Sequence, residues 1–115
     1  LYAMHRKLRR LVGNGGGRVD RIVVCPHGPD NGCDCRKPKP GLLYRLARHY
    51  QTSNTGVPVI GDSMRDLQAA AAAGARPILV RTGNGRKTEA DLDRRHIRAE
   101  VFDDLATAAA ALLRE

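Results

Sequence analysis

The chain has 115 residues, with 20 basic and 12 acidic side chains and a formal net charge of +8. This length accommodates one domain, and the sequence shows no targeting segment or membrane span, so we expect a cytoplasmic protein that does not bind membranes. The basic balance raises nucleic acid as a partner. However, three tyrosines and one phenylalanine are too few for a base-stacking surface, and we expect no nucleic-acid partner.

Helical and strand-like patterns alternate along the chain. The predicted helices are 1–12, 42–50, 64–73, 88–96 and 104–113. The predicted strands are 21–24, 57–60, 76–80 and 99–102. Strands that alternate with helices pack as a parallel sheet, so we expect an α/β fold with a Rossmann-like sheet and flanking helices.

All three cysteines lie in one short loop that also contains a histidine. Cys25-x-His27 and Cys33-x-Cys35 together offer three thiolates and one imidazole, a common ligand set for structural zinc. Three cysteines leave one unpaired in any disulfide scheme, and nothing marks one of them as a nucleophile. We therefore predict a zinc loop over 25–35, with no open coordination position for water.

A rigid cationic segment, Arg36-Lys37-Pro38-Lys39-Pro40, follows the zinc loop. A lysine near a phosphate supplies a compact positive charge, and Lys37 and Lys39 compete for that role. The zinc loop is therefore predicted to direct positive side chains at an anionic ligand.

Asp62 comes directly after the predicted strand 57–60 and Gly61. Ligands of a parallel sheet bind at the carboxyl ends of its strands, and a carboxylate there suits Mg²⁺. Ser63 is predicted to cap the next helix. Asp66 completes a capping box with Ser63, so helix capping explains this aspartate as well as metal binding does.

Together these segments resemble the haloacid dehalogenase superfamily, and more narrowly its D-glycero-D-manno-heptose 1,7-bisphosphate phosphatase family. The zinc loop and Arg36-Lys37-Pro38 are similar to that family's loop. Residues 59–70 match the superfamily's fourth motif, and 82–88 match the turn that follows it. The resemblance implies one haloacid dehalogenase-like domain over 1–115, incomplete at its N-terminus, that uses Mg²⁺ and Zn²⁺.

The resemblance also implies a role for each matching residue. Lys37 would steady the transferring phosphoryl group, Arg36 would help to recognise the substrate, and Ser63 would touch it. Asp62 would bind Mg²⁺. The implied zinc ligands are Cys25, His27, Cys33 and Cys35. The implied partner is a phosphorylated sugar, heptose 1,7-bisphosphate, used to make lipopolysaccharide or related glycans, and the implied assembly is a monomer.

The superfamily's nucleophile motif, an Asp-x-Asp pair, has no counterpart in the sequence. In that family one aspartate forms an aspartyl-phosphate and the other acts as acid and base. Asp91-Leu92-Asp93 has the spacing but falls in a polar helical stretch, where a solvated helix face explains it. The chain also begins with Leu1 rather than methionine. We therefore expect a C-terminal portion that holds part of an active site and shows negligible turnover alone.

Three other functions stay open. Histidinol-phosphate phosphatases share the cysteine loop, although the 82–85 turn and Pro40-Gly41 favour the heptose family. A zinc-stabilised basic nucleic-acid-binding module would bind less tightly as salt rises. This module draws support from five basic residues without an acid in 1–18, but it leaves Asp62 unexplained. The third is a non-catalytic remnant that binds only zinc.

Overall fold

The computed structural model describes residues 2–25 and 32–115. In those ranges the helices are α1 (Tyr2–Asn14), α2 (Gly41–His49), α3 (Met64–Ala72), α4 (Gly85–Asp91) and α5 (Leu105–Leu113). The strands are β1 (Pro58–Gly61), β2 (Arg76–Val80) and β3 (Glu100–Phe102). Seven of the nine predicted elements therefore form within about two residues of their predicted bounds.

The three strands form one parallel sheet in the order β1-β2-β3. Ile78 of β2 lies between Ile60 of β1 and Glu100 of β3 in the register. Parallel neighbours need a crossover connection, and α3 and α4 supply the two crossovers. The predicted parallel α/β sheet is confirmed, and all three strands end at the same edge.

The core is built around β2, the central strand. Ile78 and Leu79 are fully buried, as is Leu67 of α3. Ile78 and Val80 share one face of the sheet and pack with Ala108 of α5. Leu79 lies between them in sequence and so points to the opposite face. The central strand thus buries both faces, which accounts for its continuous apolar run.

Arg76 ties the start of β2 to β3 and to the end of the chain. Its guanidinium binds both carboxylate oxygens of Glu100, at 2.7 and 3.0 Å, and both of Glu115, at 2.8 and 2.7 Å. Hydrogen bonds to Glu115 and Glu100 raise the pKa of Arg76 above its ordinary value. These pairs hold the carboxyl-terminal residue beside the sheet.

Two predicted elements differ from the structure. Residues 21–24 form no strand, because a strand needs a hydrogen-bonded neighbour and the described sheet contains only β1 to β3. The helix predicted over 88–96 begins instead at Gly85 and ends at Asp91. Residues 92–96 form turns instead of helix, and His96 has a left-handed backbone at φ +55°.

The predicted amphipathic helix forms as α1 but leaves its apolar residues exposed. Met4, Leu8 and Leu11 are 70%, 46% and 56% exposed. Gly16, at φ +87°, follows the helix and supports the prediction that the glycines end it. No helix of the described residues is long and apolar enough to cross a membrane.

Candidate functional site

The three cysteine sulfurs lie together, although eight residues separate Cys25 from Cys33. Sγ of Cys25 is 2.9 Å from Sγ of Cys35 and 3.5 Å from Sγ of Cys33, and all three lie within 4.8 Å of one another. Tetrahedral zinc with Zn–S bonds of about 2.3 Å holds its sulfurs about 3.8 Å apart. The cluster therefore fits zinc after small movements. His27, the fourth predicted ligand, lies outside the described residues.

The closeness of the thiols changes their acidity. Burial raises the pKa of Cys33, but hydrogen bonds from the Cys25 thiol and from the backbone of Cys35 lower that pKa to about 6. The pKa of Cys35 rises to about 12 because its thiol is hydrogen-bonded to Cys25 and is desolvated. The neighbouring sulfurs thus shift the pKa values of Cys33 and Cys35 in opposite directions, whereas a bound cation would favour the thiolate of each ligand.

The two lysines of the cationic segment have different partners. The Nζ atom of Lys37 lies 2.5 Å from Oδ1 of Asp66, at the first turn of α3. The Nζ atom of Lys39 instead donates to the Cys33 carbonyl at 2.7 Å. The sequence left these lysines in competition, and the structure directs only Lys37 toward the strand ends.

Asp66 is held by a capping box and by Lys37. Its Oδ2 atom accepts from the Ser63 hydroxyl at 3.0 Å and from the backbone of Ser63 and Asp62, each at 3.2 Å. Burial raises the pKa of Asp66, but Lys37 and Ser63 outweigh it and the pKa lies below its ordinary value. The predicted capping box is confirmed, and both Asp66 oxygens have partners within the protein.

Asp62 lies directly after β1 and is hydrogen-bonded to the segment that follows β2. Its Oδ2 atom accepts a hydrogen bond from the backbone N–H of Asn84 at 3.0 Å. Its backbone carbonyl accepts one from the Thr88 hydroxyl at 2.9 Å. Gly83, at φ +59°, lies so close that a Cβ there would overlap Oδ2. The Oδ1 atom has no hydrogen-bond partner among the described residues. The carboxylate is therefore held in place with one oxygen available to a cation.

An arginine anchors the base of the same turn. Arg81 binds both oxygens of Glu89 in α4, at 2.9 and 3.0 Å, and Asp103 after β3 at 2.7 Å. Hydrogen bonds to Glu89 and Asp103 raise the pKa of Arg81 above its ordinary value. These contacts fix the turn on both sides and so help to hold Asp62 in place.

Two of the cavities that border the cationic segment are lined by Arg36. The larger, about 390 Å³, is lined by Ser63 and by Cys25 and Cys35 of the predicted zinc loop, together with three cations. The smaller, about 340 Å³, is lined by the same cations and by Lys39. The shared cations are Arg36, Lys37 and Arg65. Among the described lining residues there is no carboxylate, and Asp62 lies beside Ser63 without lining either cavity.

Arg36, Lys37 and Ser63 line the larger cavity together with Arg65. Arg65 was not identified from the sequence. Its position between Asp62 and Asp66, within the first turn of the helix, was the available signal. The backbone N–H of Asn84 and the hydroxyl of Thr88 hold Asp62. Both residues lie in the segment 82–88 that carries the family resemblance, but the sequence analysis predicted no role for either.

The Asp-x-Asp pair at 91–93 behaves as a surface feature. Asp91 ends α4 and its carboxylate accepts from Arg94 at 2.8 Å, an ion pair between residues three apart. Asp93 is exposed. The interpretation of this pair as part of a solvated helical stretch therefore agrees with the structure.

Comparisons with known proteins extend these observations. Residues 34–108 match the model of the HAD-hydrolase-like family. The chain is 54% identical over 114 residues to a D-glycero-beta-D-manno-heptose-1,7-bisphosphate 7-phosphatase of Pseudomonas putida, covering 98% of this chain and 63% of the relative. It is 53% identical over 115 residues to the protein of the same name from Bordetella bronchiseptica, covering 100% of this chain and 64% of the relative.

A solved structure is similar over the same span. It is the crystal structure of D,D-heptose 1,7-bisphosphate phosphatase from B. bronchiseptica complexed with magnesium and phosphate. The TM-score is 0.90 at 51% identity, covering 98% of this chain and 63% of that one. The chain therefore spans less than two thirds of the length of these relatives.

Proposed function

The chain belongs to the HAD-hydrolase-like family. We propose that the protein is a Mg²⁺-dependent phosphatase that removes the 7-phosphate of D-glycero-β-D-manno-heptose 1,7-bisphosphate. The observation that carries the proposal is the contact of Lys37 with Asp66, next to Asp62 at the carboxyl end of β1. It places an ammonium group and a carboxylate at the sheet edge where parallel sheets bind ligands. The lipopolysaccharide or related glycan pathway is part of the same proposal.

The names of the relatives support the substrate and the position of cleavage. Two proteins 54% and 53% identical to this chain are named 7-phosphatases of the beta anomer. The matching crystal structure holds magnesium and phosphate, which are the ion and the product that the proposed reaction requires.

The cationic residues would bind and orient the phosphoryl group. Lys37, held by Asp66, would offset charge on the phosphoryl oxygens, where phosphoryl transfer most needs it. Arg36 lines both cavities and would contact the substrate. The Ser63 hydroxyl already donates to Asp66, so it would accept a hydrogen bond from a substrate hydroxyl.

Asp62 is the proposed magnesium ligand. Its Oδ2 atom is occupied by the Asn84 amide, which leaves Oδ1 for the ion. When bound, Mg²⁺ would neutralise charge on the transferring group. The Thr88 hydroxyl donates to the Asp62 carbonyl and would keep the Asp62 backbone positioned for binding this ion.

Zinc is proposed as a structural ion held by Cys25, Cys33 and Cys35 with His27. The convergence of the three sulfurs within 4.8 Å supports this assignment. A closed set of four ligands leaves no position for substrate, so zinc would order the loop that carries Arg36 and Lys37.

The test is phosphate release by the complete gene product, because no described carboxylate lines either cavity to act as nucleophile. We expect Mg²⁺-dependent turnover of the β-heptose 1,7-bisphosphate, with the α anomer slower. Lys37→Ala should lower kcat by about 100-fold or more, as loss of a transition-state donor does. Arg45→Ala, on the exposed side of α2, is the matched control and should retain full activity.

Two results would contradict the proposal. A higher kcat/KM for histidinol phosphate would assign the protein to the histidinol-phosphate phosphatases. Salt-dependent nucleic-acid binding without any phosphatase turnover would favour the zinc-stabilised basic module.

A further inference from the structure

Arg65 is a cation of the candidate site to which neither the resemblance nor the comparisons assign a role. Its side chain lines both cavities beside Arg36 and Lys37. Lys39 joins these three around the smaller cavity, and no carboxylate is present among the described residues of its lining. Asp66 offsets the charge of Lys37, but the other cations around this space of about 340 Å³ create a local potential that favours a multiply charged anion.

Arg65 differs from the two lysines in its partners. Lys37 is bound to Asp66, and Lys39 is bound to the Cys33 carbonyl. Arg65 makes no hydrogen bond or ion pair with the part of the chain that the structure describes. A guanidinium presents a planar set of donors that matches two phosphate oxygens at once. Arg65 can therefore bind an anion without first breaking an interaction within the described structure.

The proposed substrate carries two phosphates, and only one of them is transferred. Lys37 would hold the transferring group, and its side chain also borders the smaller cavity. The smaller cavity offers the other phosphate a cationic wall that includes Arg65. We propose that Arg65 binds the phosphate that is not transferred and thereby sets the preference for a bisphosphate over a monophosphate. This inference rests on the proposed function and names the contact that selects its substrate.

The test compares two substrates that share the scissile phosphate. Heptose 1,7-bisphosphate and heptose 7-phosphate are assayed with the complete gene product and with its Arg65→Ala and Arg65→Met variants. Loss of a hydrogen bond to a charged group lowers affinity roughly 10- to 100-fold. We expect a loss of that size in kcat/KM for the bisphosphate, mainly through KM, and a loss at least fivefold smaller for the monophosphate.

Controls separate selectivity from stability and from the proposed function. Arg45→Ala, which removes an exposed arginine outside both cavities, should change neither substrate's kcat/KM. Equal losses on the two substrates in the Arg65 variants, or no loss on either, would overturn the inference while leaving the proposed function in place. If the unsubstituted protein hydrolyses neither heptose phosphate, the proposed function fails and the inference fails with it.

Discussion

The Lys37 ammonium lies 2.5 Å from the Asp66 carboxylate and so joins the segment after the predicted zinc loop to the first turn of α3. Asp66 uses its other oxygen to close the capping box with Ser63. One carboxylate therefore sets both the start of α3 and the position of the proposed phosphate-binding lysine. Because Asp62 precedes Ser63 directly, the lysine and the proposed magnesium ligand are held by the same turn.

The pH dependence of stability should report on Asp66. Its pKa is lowered in the folded protein, despite burial, by Lys37 and Ser63. A carboxyl group with a depressed folded pKa contributes stability that is fully present above its unfolded value, about pH 4, and is lost as pH falls through the folded value. We expect the free energy of unfolding to decrease as pH is lowered below about 4, measured by urea unfolding.

Asp66→Asn should weaken that acid dependence because the variant side chain does not titrate. It should also lower stability at neutral pH, since the ion pair with Lys37 becomes a hydrogen bond at most. Asp93→Asn removes an exposed carboxylate and is the matched control. If the free energy of unfolding of Asp66→Asn fell below pH 4 as steeply as that of the unsubstituted protein, the Lys37 contact would not contribute to folding.

Zinc removal should destabilise the loop that directly precedes Arg36 and Lys37. Cys35 is the most buried of the three cysteines, at 4% exposed, and Cys35→Ala removes one ligand of the closed set. We expect loss of bound zinc by metal analysis and a fall in Tm of roughly 10 °C or more, because zinc binding energy is folding energy in such sites. Asp34→Ala, between the two cysteines of the pair, is exposed and should retain zinc.

The Thr88 hydroxyl should matter through Asp62. Thr88 is 7% exposed and donates to the Asp62 carbonyl at 2.9 Å. Thr88→Val keeps the shape but leaves a carbonyl group short of a donor, which costs about 1–3 kcal/mol. We expect lower stability and a higher Mg²⁺ concentration for half-maximal activity. Thr88→Ser keeps the hydroxyl and should restore most of both properties.

Gly83 should be intolerant of a side chain because of its contact with Asp62. Gly83→Ala adds a Cβ at φ +59° that overlaps the Asp62 carboxylate. Gly74→Ala is the matched control, since Gly74 has φ +75° but a Cβ there meets nothing within 4 Å. Both substitutions incur the cost of a left-handed backbone, about 1 kcal/mol. Only Gly83→Ala should also weaken the Mg²⁺ response, as measured by a magnesium titration of activity.

Local patterns in the sequence were sufficient to predict most of the secondary structure and two local features of the candidate site. The segment 76–80 predicts β2 to the residue, because Ile78, Leu79 and Val80 form the apolar run of a central parallel strand that buries both faces. The Ser63-x-x-Asp66 spacing predicts a capping box, which needs only atoms within one helical turn. The cysteine spacing predicts the sulfur cluster, since its members are close along the chain.

The tertiary structure decided which groups separated in sequence meet. Whether Lys37 or Lys39 reaches α3 depends on how the segment after the predicted zinc loop packs, and Lys37 and Asp66 are 29 positions apart in the sequence. The hydrogen bond from the Asn84 backbone to the Asp62 carboxylate forms because β1 and β2 lie side by side and end at the same edge of the sheet. The exposure of Arg65 to both cavities depends on the same packing. Residue types therefore determined which local elements and candidate functional groups the chain contains, whereas the parallel pairing of its strands determined which of those groups lie together.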